Sequence, residues 1–196
     1  MASSGQSGSI VLDPAPDLAN SDRRAARTRR ALLSAFIELV LERGYAATGI
    51  ADIVERADIG RSTFYAHFGS KDELLIASMQ WMFDILAEAA STHAPREPLN
   101  SLVAHYWSNR RLARVVLSHP IEPKLRRSLG ATIHRSLLAR APAGADPDEL
   151  KLAAIGIATA QLGVLAAWTS GEVSATQSAV ADSLAGLALR RPNGGS

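Results

Sequence analysis

TGIADIVERADIGRSTFYAHFGSKDELL, residues 48–75, is the stretch that decides the fold of the N-terminal part of the chain. It predicts two short helices, one ending near Ala57 and the other near Phe68, with a tight turn at residues 58–60 between them. Helices joined by so short a turn must cross at close range, and Ala51 and Ala57 are small enough to lie at the crossing. The stretch therefore predicts a helix-turn-helix. The apolar side chains expected to fill its interior are Ile53, Val54, Ile59 and Phe64.

The second short helix keeps polar side chains on its outer face once its apolar residues are assigned to the core. In a helix-turn-helix, the N-terminal part of the second helix meets base edges in DNA, and the first helix crosses the backbone. Helix N-termini also offer free N–H groups to phosphates, and Thr48 adds a hydroxyl at one such end. Lys71 adds a cation just past the second helix. The outward polar side chains are Arg61, Ser62, Thr63, Tyr65 and His67.

The helix before this motif is predicted to begin at Ser21 or Asp22 and to end at Gly44, a residue type common at helix C-termini. Residues 23–30 contain five arginines, with Asp22 as the only acid beside them. Such a run is either a solvated face or, beside a helix-turn-helix, a contact to the DNA backbone, and the second interpretation is favoured here. Residues 1–20, rich in Ser, Gly, Pro and Asp, are predicted to be a disordered tail. The apolar stripe of this helix consists of Leu33, Phe36, Ile37, Val40 and Leu41.

Helical patterns fill the rest of the chain, and no stretch alternates with period two, so the predicted fold class is all-α. Thr48 is expected to cap the second helix, and Ser70 with Glu73 forms a capping box that opens a fourth helix reaching about Thr92.

Four more helices are expected after the fourth. Two lie near residues 98–118 and 123–140, between segments marked by proline. The next starts at Asp146 and runs to about residue 169, and the last starts at a second capping box opened by Ser174 and ends near Arg190.

Residues 152–171 contain no charged side chain and are about as long as a membrane span. The alternatives are a span or a buried helix of a soluble protein, and the many Ala and Gly residues and the interrupting polar ones favour the buried helix. A helix that is apolar all round is buried on all sides, so a partner should cover one face. A second copy of the chain is expected there, with two helices from each subunit. The residues assigned to that interface are Gly156, Ala160, Gly163, Ala167, Val180, Leu184 and Leu187.

Residues 48–75, preceded by Gly44-Tyr45, resemble the DNA-binding motif of the TetR family of bacterial transcriptional regulators. The family's turn usually reads Gly-Val-Ser, where this chain has Asp58-Ile59-Gly60. Asp58 tolerates left-handed backbone, whereas Gly60 lacks the hydroxyl that would cap the third helix. Over residues 22–90 the resemblance rests on sequence motifs. Over the remainder of the chain it rests only on the predicted order of helices. Its matching pieces are Thr48, Asp52-Ile53, Thr63-Phe64-Tyr65, His67-Phe68 and Ser70-Lys71.

The resemblance implies a homodimer with a three-helix DNA-binding domain, residues 21–69, and a helical ligand-binding and dimerisation domain, residues 70–191, followed by a flexible tail at 192–196. It implies a regulator, most often a repressor, that binds a palindromic operator in double-stranded DNA and is released by a small-molecule inducer. By position, the base-facing segment is Arg61, Ser62 and Thr63. The residues that match phosphate contacts are Thr48, Tyr65, His67 and Lys71.

The C-terminal aromatic residues are either ordinary core or the lining of a ligand cavity between helices. Two polar side chains near Tyr106 could orient a polar or acidic ligand there. The candidate lining residues are Trp81, Phe83, His105, Tyr106, Trp107, Arg110 and Trp168.

Composition argues against several other classes of protein. The chain has no cysteine, which excludes disulfides and thiolate sites and fits a reducing cytoplasm. Its five histidines show no metal-binding spacing, and no phosphate-binding loop or nucleophile elbow is present, so neither an enzyme nor a cofactor is expected. A helical protein-interaction module stays open as an alternative, although it would not need polar residues on so short an outer helix. The formal net charge of +2 gives little global attraction to DNA, so local placement of arginine matters more.

Overall fold

The protein, described here as a computed structural model, is built entirely from α-helices in the residues that the structure describes: 16–91, 95–117 and 121–187, with side chains from residue 22. The all-α expectation is confirmed for these ranges. The helices are α1 (Pro16–Arg43), α2 (Ile50–Arg56), α3 (Arg61–His67), α4 (Lys71–Ala89), α5 (Arg96–Ser108), α6 (Arg110–Val116), α7 (Glu122–Arg140), α8 (Pro147–Ser170) and α9 (Gln177–Gly186).

Two left-handed residues set the path of the N-terminal three helices. Gly44 ends α1 with φ of +83°, the conformation in which glycine avoids the steric penalty of a side chain. Asp58, in the turn between α2 and α3, has φ of +54°, so this residue takes the left-handed backbone expected of it. Gly60 stands at the N-terminus of α3 without a side-chain cap, also as expected.

Helix starts differ from the sequence-based expectations in three places. α1 begins at Pro16, so residues 16–20, which were assigned to a disordered tail, are helical. The cap of α2 is Gly49 and not Thr48: the Asp52 carboxylate accepts a hydrogen bond from the Gly49 N–H at 2.8 Å. The cap of α9 is Thr176 and not Ser174, because Thr176 lies directly before the first helical residue and its hydroxyl accepts from the Ala179 N–H at 3.2 Å.

The capping of α4 follows the predicted pair with one change of partner. The Ser70 hydroxyl accepts from the Glu73 N–H at 3.1 Å, as a capping box requires. The Glu73 carboxylate reaches one residue further back than expected and accepts from the Gly69 N–H at 2.7 Å.

The core between α1, α2 and α3 is apolar and closely packed. Ile53 and Phe64 are fully buried, and Val54 and Ile59 pack against them, as predicted. The stripe of α1 is rotated from the predicted one, because Leu41 is 54% exposed. The buried side chains of that helix are Leu32, Ala35, Phe36, Leu39 and Val40.

The remaining helices pack around α4 and α7. α7 lies along α8 and also against α4, and α9 packs mainly on α5. The region expected to form one helix near residues 98–118 is two, because the backbone leaves the helical range at Asn109 (φ −110°, ψ 27°). Within the described ranges, α8 alone is long and apolar enough to cross a membrane by length and composition. It packs against α7, α6 and α9.

Candidate nucleic-acid interface and the helices behind it

α3 presents a polar outer face on an apolar anchor. Phe64 is fully buried, with its ring 6.1 Å from that of Phe68, so the helix is fixed to the core by one side. Arg61 and Ser62, in the first turn, are exposed, and neither makes a hydrogen bond or an ion pair within the described residues. Thr63 is half-buried at the edge of the same face. The first turn therefore offers free donors and acceptors to an external partner.

The C-terminal half of α3 adds an aromatic and an imidazole side chain to the same surface. Tyr65 is 52% exposed and rests the edge of its ring on Phe64, at 5.4 Å between centroids. This packing orients the ring while it leaves the hydroxyl free of partners in the described part of the chain. His67 is half-buried in the last turn.

The arginine run of α1 lies next to the end of α3. The guanidinium of Arg29 sits over the ring of Phe68, 4.7 Å from its centroid, which places this part of α1 beside the C-terminal end of α3. Arg23, Arg24, Arg27 and Arg30 are all exposed. Exposed positive charge on α1 is therefore close in space to the C-terminal end of α3.

Ion pairs hold α2 against α1. Arg56 binds Glu42 through two hydrogen bonds of 2.8 and 2.9 Å and also contacts Glu38 at 3.3 Å. The hydrogen bond from Arg56 holds the pKa of Glu42 below its usual value. Arg43 contacts Asp52 at 2.9 Å, and the hydrogen bond from the Gly49 N–H is the main reason that the pKa of Asp52 is lowered. These exposed pairs fix the orientation of α2 more than they add stability.

Thr48 and Lys71 lie behind the candidate surface. The Thr48 side chain is 0% exposed, and its hydroxyl donates to the Gly44 carbonyl at 2.8 Å, so the predicted phosphate contact by this hydroxyl is wrong for the structure described. The Lys71 ammonium donates to the carbonyl oxygens of Tyr45 at 2.8 Å and of Thr48 at 2.7 Å. It also lies 4.2 Å from the centroid of the Tyr45 ring. Lys71 therefore provides hydrogen-bond donors to the carbonyl oxygens that follow α1, and it positions the loop that leads into α2.

The start of α4 joins the N-terminal helices to α7 through three side chains, Tyr45, Asp72 and Lys124, here called the α4–α7 junction. The Tyr45 hydroxyl donates to one Asp72 oxygen, and the Lys124 ammonium contacts the other at 2.6 Å. Burial raises the pKa of the Asp72 carboxyl, but the hydrogen bonds from Lys124 and Tyr45 outweigh burial, and the net pKa is lowered. Burial, with a smaller effect from Asp72, raises the pKa of Tyr45. A movement of α7 or α4 would therefore be transmitted through these contacts to Tyr45 in the loop before α2.

A cavity of about 40 Å³ lies between α4, α5 and α6. Of the seven residues predicted to bind a ligand, His105 and Tyr106 line it. Sequence reasoning missed the other lining residues, since it followed aromatic side chains and the cavity is mostly aliphatic and thioether-lined. Those residues are Met79, Met82, Asn109, Leu112, Ala113 and Val116.

The other five predicted ligand residues do not line this cavity. Phe83 is buried in the core, and Trp81 packs edge-on against the His105 ring at 5.0 Å. Trp107 stacks on Trp168 at 4.8 Å, and the Arg110 guanidinium lies 5.2 Å from the Trp107 centroid. Trp107, Trp168 and Arg110 therefore form a stack of their own.

The predicted dimer residues divide into three groups by position and exposure. Gly156 and Gly163 are exposed on α8, with Ala160 and Ala167 half-buried beside them. Val180 and Leu184 are buried within the chain itself, so they do not form an outward face, and that part of the prediction is wrong. Leu187 is half-buried just after α9. On α8, the exposed large apolar side chains, which were not assigned to the interface, are Leu152 (70% exposed) and Ile155 (44% exposed).

Two short helices crossing at a left-handed turn, with a polar outer face and an adjoining arginine run, define a helix-turn-helix protein. In the described ranges, no group of three His, Asp or Glu side chains is placed to hold a metal ion. Residues 32–78 match the bacterial regulatory proteins of the tetR family. The matched residues run from α1 into α4, so this part of the chain is similar to the transcriptional regulators of that family.

The relatives of known sequence match over part of the chain. The HTH-type transcriptional regulator YxbF of Bacillus subtilis is 45% identical over 60 residues, which are 30% of this chain and 16% of that protein. An HTH-type transcriptional repressor of Mycobacterium tuberculosis is 33% identical over 102 residues, 50% of this chain and 53% of that one. The matched regions thus span about half or less of the length of these two relatives.

The fold extends further than the sequence similarity. A TetR-family regulator from Streptomyces coelicolor superposes with a TM-score of 0.59 at 24% identity, over 82% of this chain and 91% of that one. A TetR transcriptional regulator from Streptococcus agalactiae gives a TM-score of 0.55 at 22% identity, over 88% and 99% of the two chains. At these identities the similarity concerns the fold.

Proposed function

We propose that the chain is a DNA-binding transcriptional repressor that acts in the cytoplasm, as a homodimer, on a palindromic operator. The observation that carries the DNA part is the outer face of α3, where Arg61 and Ser62 are exposed and unpaired in the described structure while Phe64 holds the helix from behind. In this proposal Arg61, Ser62 and Thr63 meet base edges, and Tyr65 and His67 meet phosphates, together with the arginines of α1.

Selection of bound duplexes from a random pool tests the DNA part. The expected product is a palindrome whose half-sites are about one helical turn apart, roughly 34–36 Å, bound more weakly as salt rises. On that duplex, Arg61→Ala should weaken binding by about 5- to 150-fold and relax the preference at one position of each half-site, because the side chain that reads a base is removed.

Arg127→Ala is the matched control for Arg61→Ala. Arg127 is an exposed arginine on α7, far along the chain from α3, and its removal should leave DNA affinity unchanged. Equal affinity of the Arg61→Ala variant and the unmodified protein for the selected duplex would contradict the assignment of α3 as the reading helix.

The proposed dimer uses an apolar stripe on α8. Leu152, Gly156, Thr159 and Gly163 are exposed and follow one another at spacings of four, three and four residues, so they lie on one side of the helix, with Ile155 next to them. Small residues at Gly156 and Gly163 let another helix approach closely. A second copy of this surface is the proposed occupant, because a stripe of this kind is self-complementary about a two-fold axis. The exposed face of α9 extends it through Ala179, Ser183 and Gly186.

Light scattering on the eluting protein measures the oligomeric state. The unmodified chain should elute as a dimer at micromolar concentration, and Leu152→Glu combined with Ile155→Glu should produce a monomer, since each charge would be buried unpaired in the interface. Leu138→Glu, at an exposed leucine on α7, is the matched control and should stay dimeric. A monomeric unmodified chain at that concentration would rule the dimer out.

The proposed release mechanism depends on α4. Its first turn belongs to the α4–α7 junction, and its later residues Met79 and Met82 line the cavity, so one rigid helix links the cavity to the N-terminal domain. A ligand acts by binding one arrangement of the two reading helices better than the other. Structures of the protein with operator and with inducer should show different separations of the two α3 helices, and identical separations would refute this mechanism.

Repression is the proposed direction of control, in line with the name of the Mycobacterium tuberculosis relative. A reporter gene placed behind the selected operator tests the direction. Expression should fall when the protein is supplied and recover in the Arg61→Ala variant, whereas a rise in expression would make the protein an activator.

A further inference from the structure

The cavity between α4, α5 and α6 contains a polar atom that nothing in the described structure satisfies. Tyr106 is 3% exposed, and its hydroxyl has no hydrogen-bond partner. The Tyr106 side chain is one of those lining the cavity. A buried hydroxyl without a partner costs about 1–3 kcal/mol, so a group that pairs with this hydroxyl on entering the cavity is favoured.

The lining of this cavity is mostly apolar in the described ranges. None of its residues is Asp, Glu, Lys or Arg, and the walls on α4 and α6 are thioether and aliphatic: Met79, Met82, Leu112 and Val116. The two other polar residues, His105 and Asn109, are both exposed and stand at the mouth. An ionised ligand group placed at the Tyr106 hydroxyl would give up its hydration against these apolar walls, which is strongly unfavourable.

The phenol of Tyr106 is a donor at any pH the protein meets. Burial raises the pKa of Tyr106, so the hydroxyl keeps its proton. A ligand acceptor such as a carbonyl or ether oxygen is therefore the complementary group.

The size of the cavity limits the ligand to a small molecule and requires some movement. A volume of about 40 Å³ is smaller than the roughly 150 Å³ apolar cavity that holds benzene in an engineered protein. Met79 and Met82 are flexible and can yield to a single ring, and methionine sulfur contacts aromatic rings favourably. The helix breaks at Asn109, so α5 and α6 are separate helices. α6 can therefore shift relative to α5 when a ligand enters.

We propose that this cavity binds an uncharged, largely apolar molecule with one ring, which accepts a hydrogen bond from the Tyr106 hydroxyl. This proposal rests on the proposed function only for its effect, which is that a bound ligand changes DNA binding. The binding itself is a property of the protein without DNA.

Calorimetric titration of the purified full chain, without DNA, tests the ligand class with three probes of similar size. Acetophenone has an acceptor and no charge, ethylbenzene has neither, and benzoate has a negative charge. Acetophenone should bind most tightly, ethylbenzene more weakly, and benzoate should give no heat of binding. Tighter binding of benzoate than of acetophenone, or no binding of acetophenone up to its solubility limit, would overturn the proposal.

Tyr106→Phe isolates the hydroxyl, since the ring is kept. It should weaken acetophenone binding by roughly tenfold and leave ethylbenzene binding unchanged, because only acetophenone accepts a hydrogen bond from the hydroxyl. The variant without ligand should unfold at the same temperature as the unmodified chain or higher, since a buried unpaired hydroxyl has been removed. Equal acetophenone affinity in the two proteins would refute the role of Tyr106.

Ala113→Leu fills the cavity and should abolish binding of both neutral probes. Circular dichroism and binding to the selected duplex establish that this variant is folded. Retained acetophenone binding in a folded Ala113→Leu variant would place the binding elsewhere and overturn the proposal. These outcomes are separable from the proposed function, because operator selection and the Arg61→Ala experiment do not depend on any ligand.

Discussion

Replacing Lys71 with Met separates two roles that this residue could have. As a phosphate contact, which the resemblance implies, Lys71 would act only when DNA is present. As the residue that binds the Tyr45 and Thr48 carbonyl oxygens at 2.8 and 2.7 Å, it acts in the free protein. Methionine keeps the hydrophobic stem on the Tyr45 ring and removes the charge and the donors.

The expected decrease in stability follows from the two hydrogen bonds. A hydrogen bond to a charged group contributes about 1.5–3 kcal/mol, and Lys71 is only half-buried, so water will partly replace both bonds. A decrease of about 2–3 kcal/mol in the free energy of unfolding is the reasonable expectation. For a chain of this length that corresponds to roughly 4–12 °C in melting temperature.

Denaturant unfolding and DNA binding at several salt concentrations measure the two roles side by side. If Lys71 positions the loop, unfolding free energy falls and DNA affinity weakens, while the slope of log affinity against log salt stays the same. If Lys71 binds a phosphate, the magnitude of that slope falls by about 0.9 for each phosphate that is no longer neutralised. Lys151→Met, at an exposed lysine on α8, makes the same chemical change as a control and should alter neither quantity. A reduced slope with unchanged stability would refute the positioning role.

Two further predictions concern the packing and the pH dependence of the same region. Phe64→Ala should lower the free energy of unfolding by about 3–5 kcal/mol, because a fully buried ring is removed, and an unchanged denaturation midpoint would contradict the anchoring role. The lowered pKa of Asp72 means that its contribution to stability is complete above the unfolded pKa of about 3.9 and is lost as pH falls through the folded pKa. In Asp72→Asn, the free energy of unfolding should therefore fall less steeply as pH decreases below about 5. Denaturant unfolding at a series of pH values measures this dependence. The same pH dependence in the variant and the unmodified chain would contradict a stabilising role of Asp72 in the α4–α7 junction.

Local chemistry made much of the fold predictable from the sequence. The end of α1, the turn and the cap of α4 were predicted at the correct positions because few residue types can take the roles found there. Gly44 and Asp58 adopt left-handed backbone, and the Ser70 hydroxyl caps α4. The caps at Thr48 and Ser174 were wrong because each lies near an equally suitable neighbour, and only the path of the chain decides between them. The break at Asn109 has no proline or glycine to mark it.

The exposure of the candidate site residues was predictable where one helix sets their direction, and the cavity lining was missed where several helices meet. Arg61, Ser62 and Tyr65 are exposed because the period of α3 puts Phe64 inside. The cavity around Tyr106 depends on how α4, α5 and α6 pack, which no local pattern records. The prediction for Val180 and Leu184 failed for the same reason, since an apolar stripe does not reveal whether its own chain or a partner covers it.

The apolar stripe on α8 has a consequence for how much of the protein is active in a cell. If the proposed dimer forms through this stripe, with Leu152 and Ile155 exposed in the single chain, its formation is a mass-action equilibrium, and the fraction of paired chains depends on their concentration. The melting temperature should then rise with protein concentration. At low copy number, the fraction of operator that is bound would then rise steeply with the number of chains in the cell. The reason is that two chains must pair before two reading helices can bind.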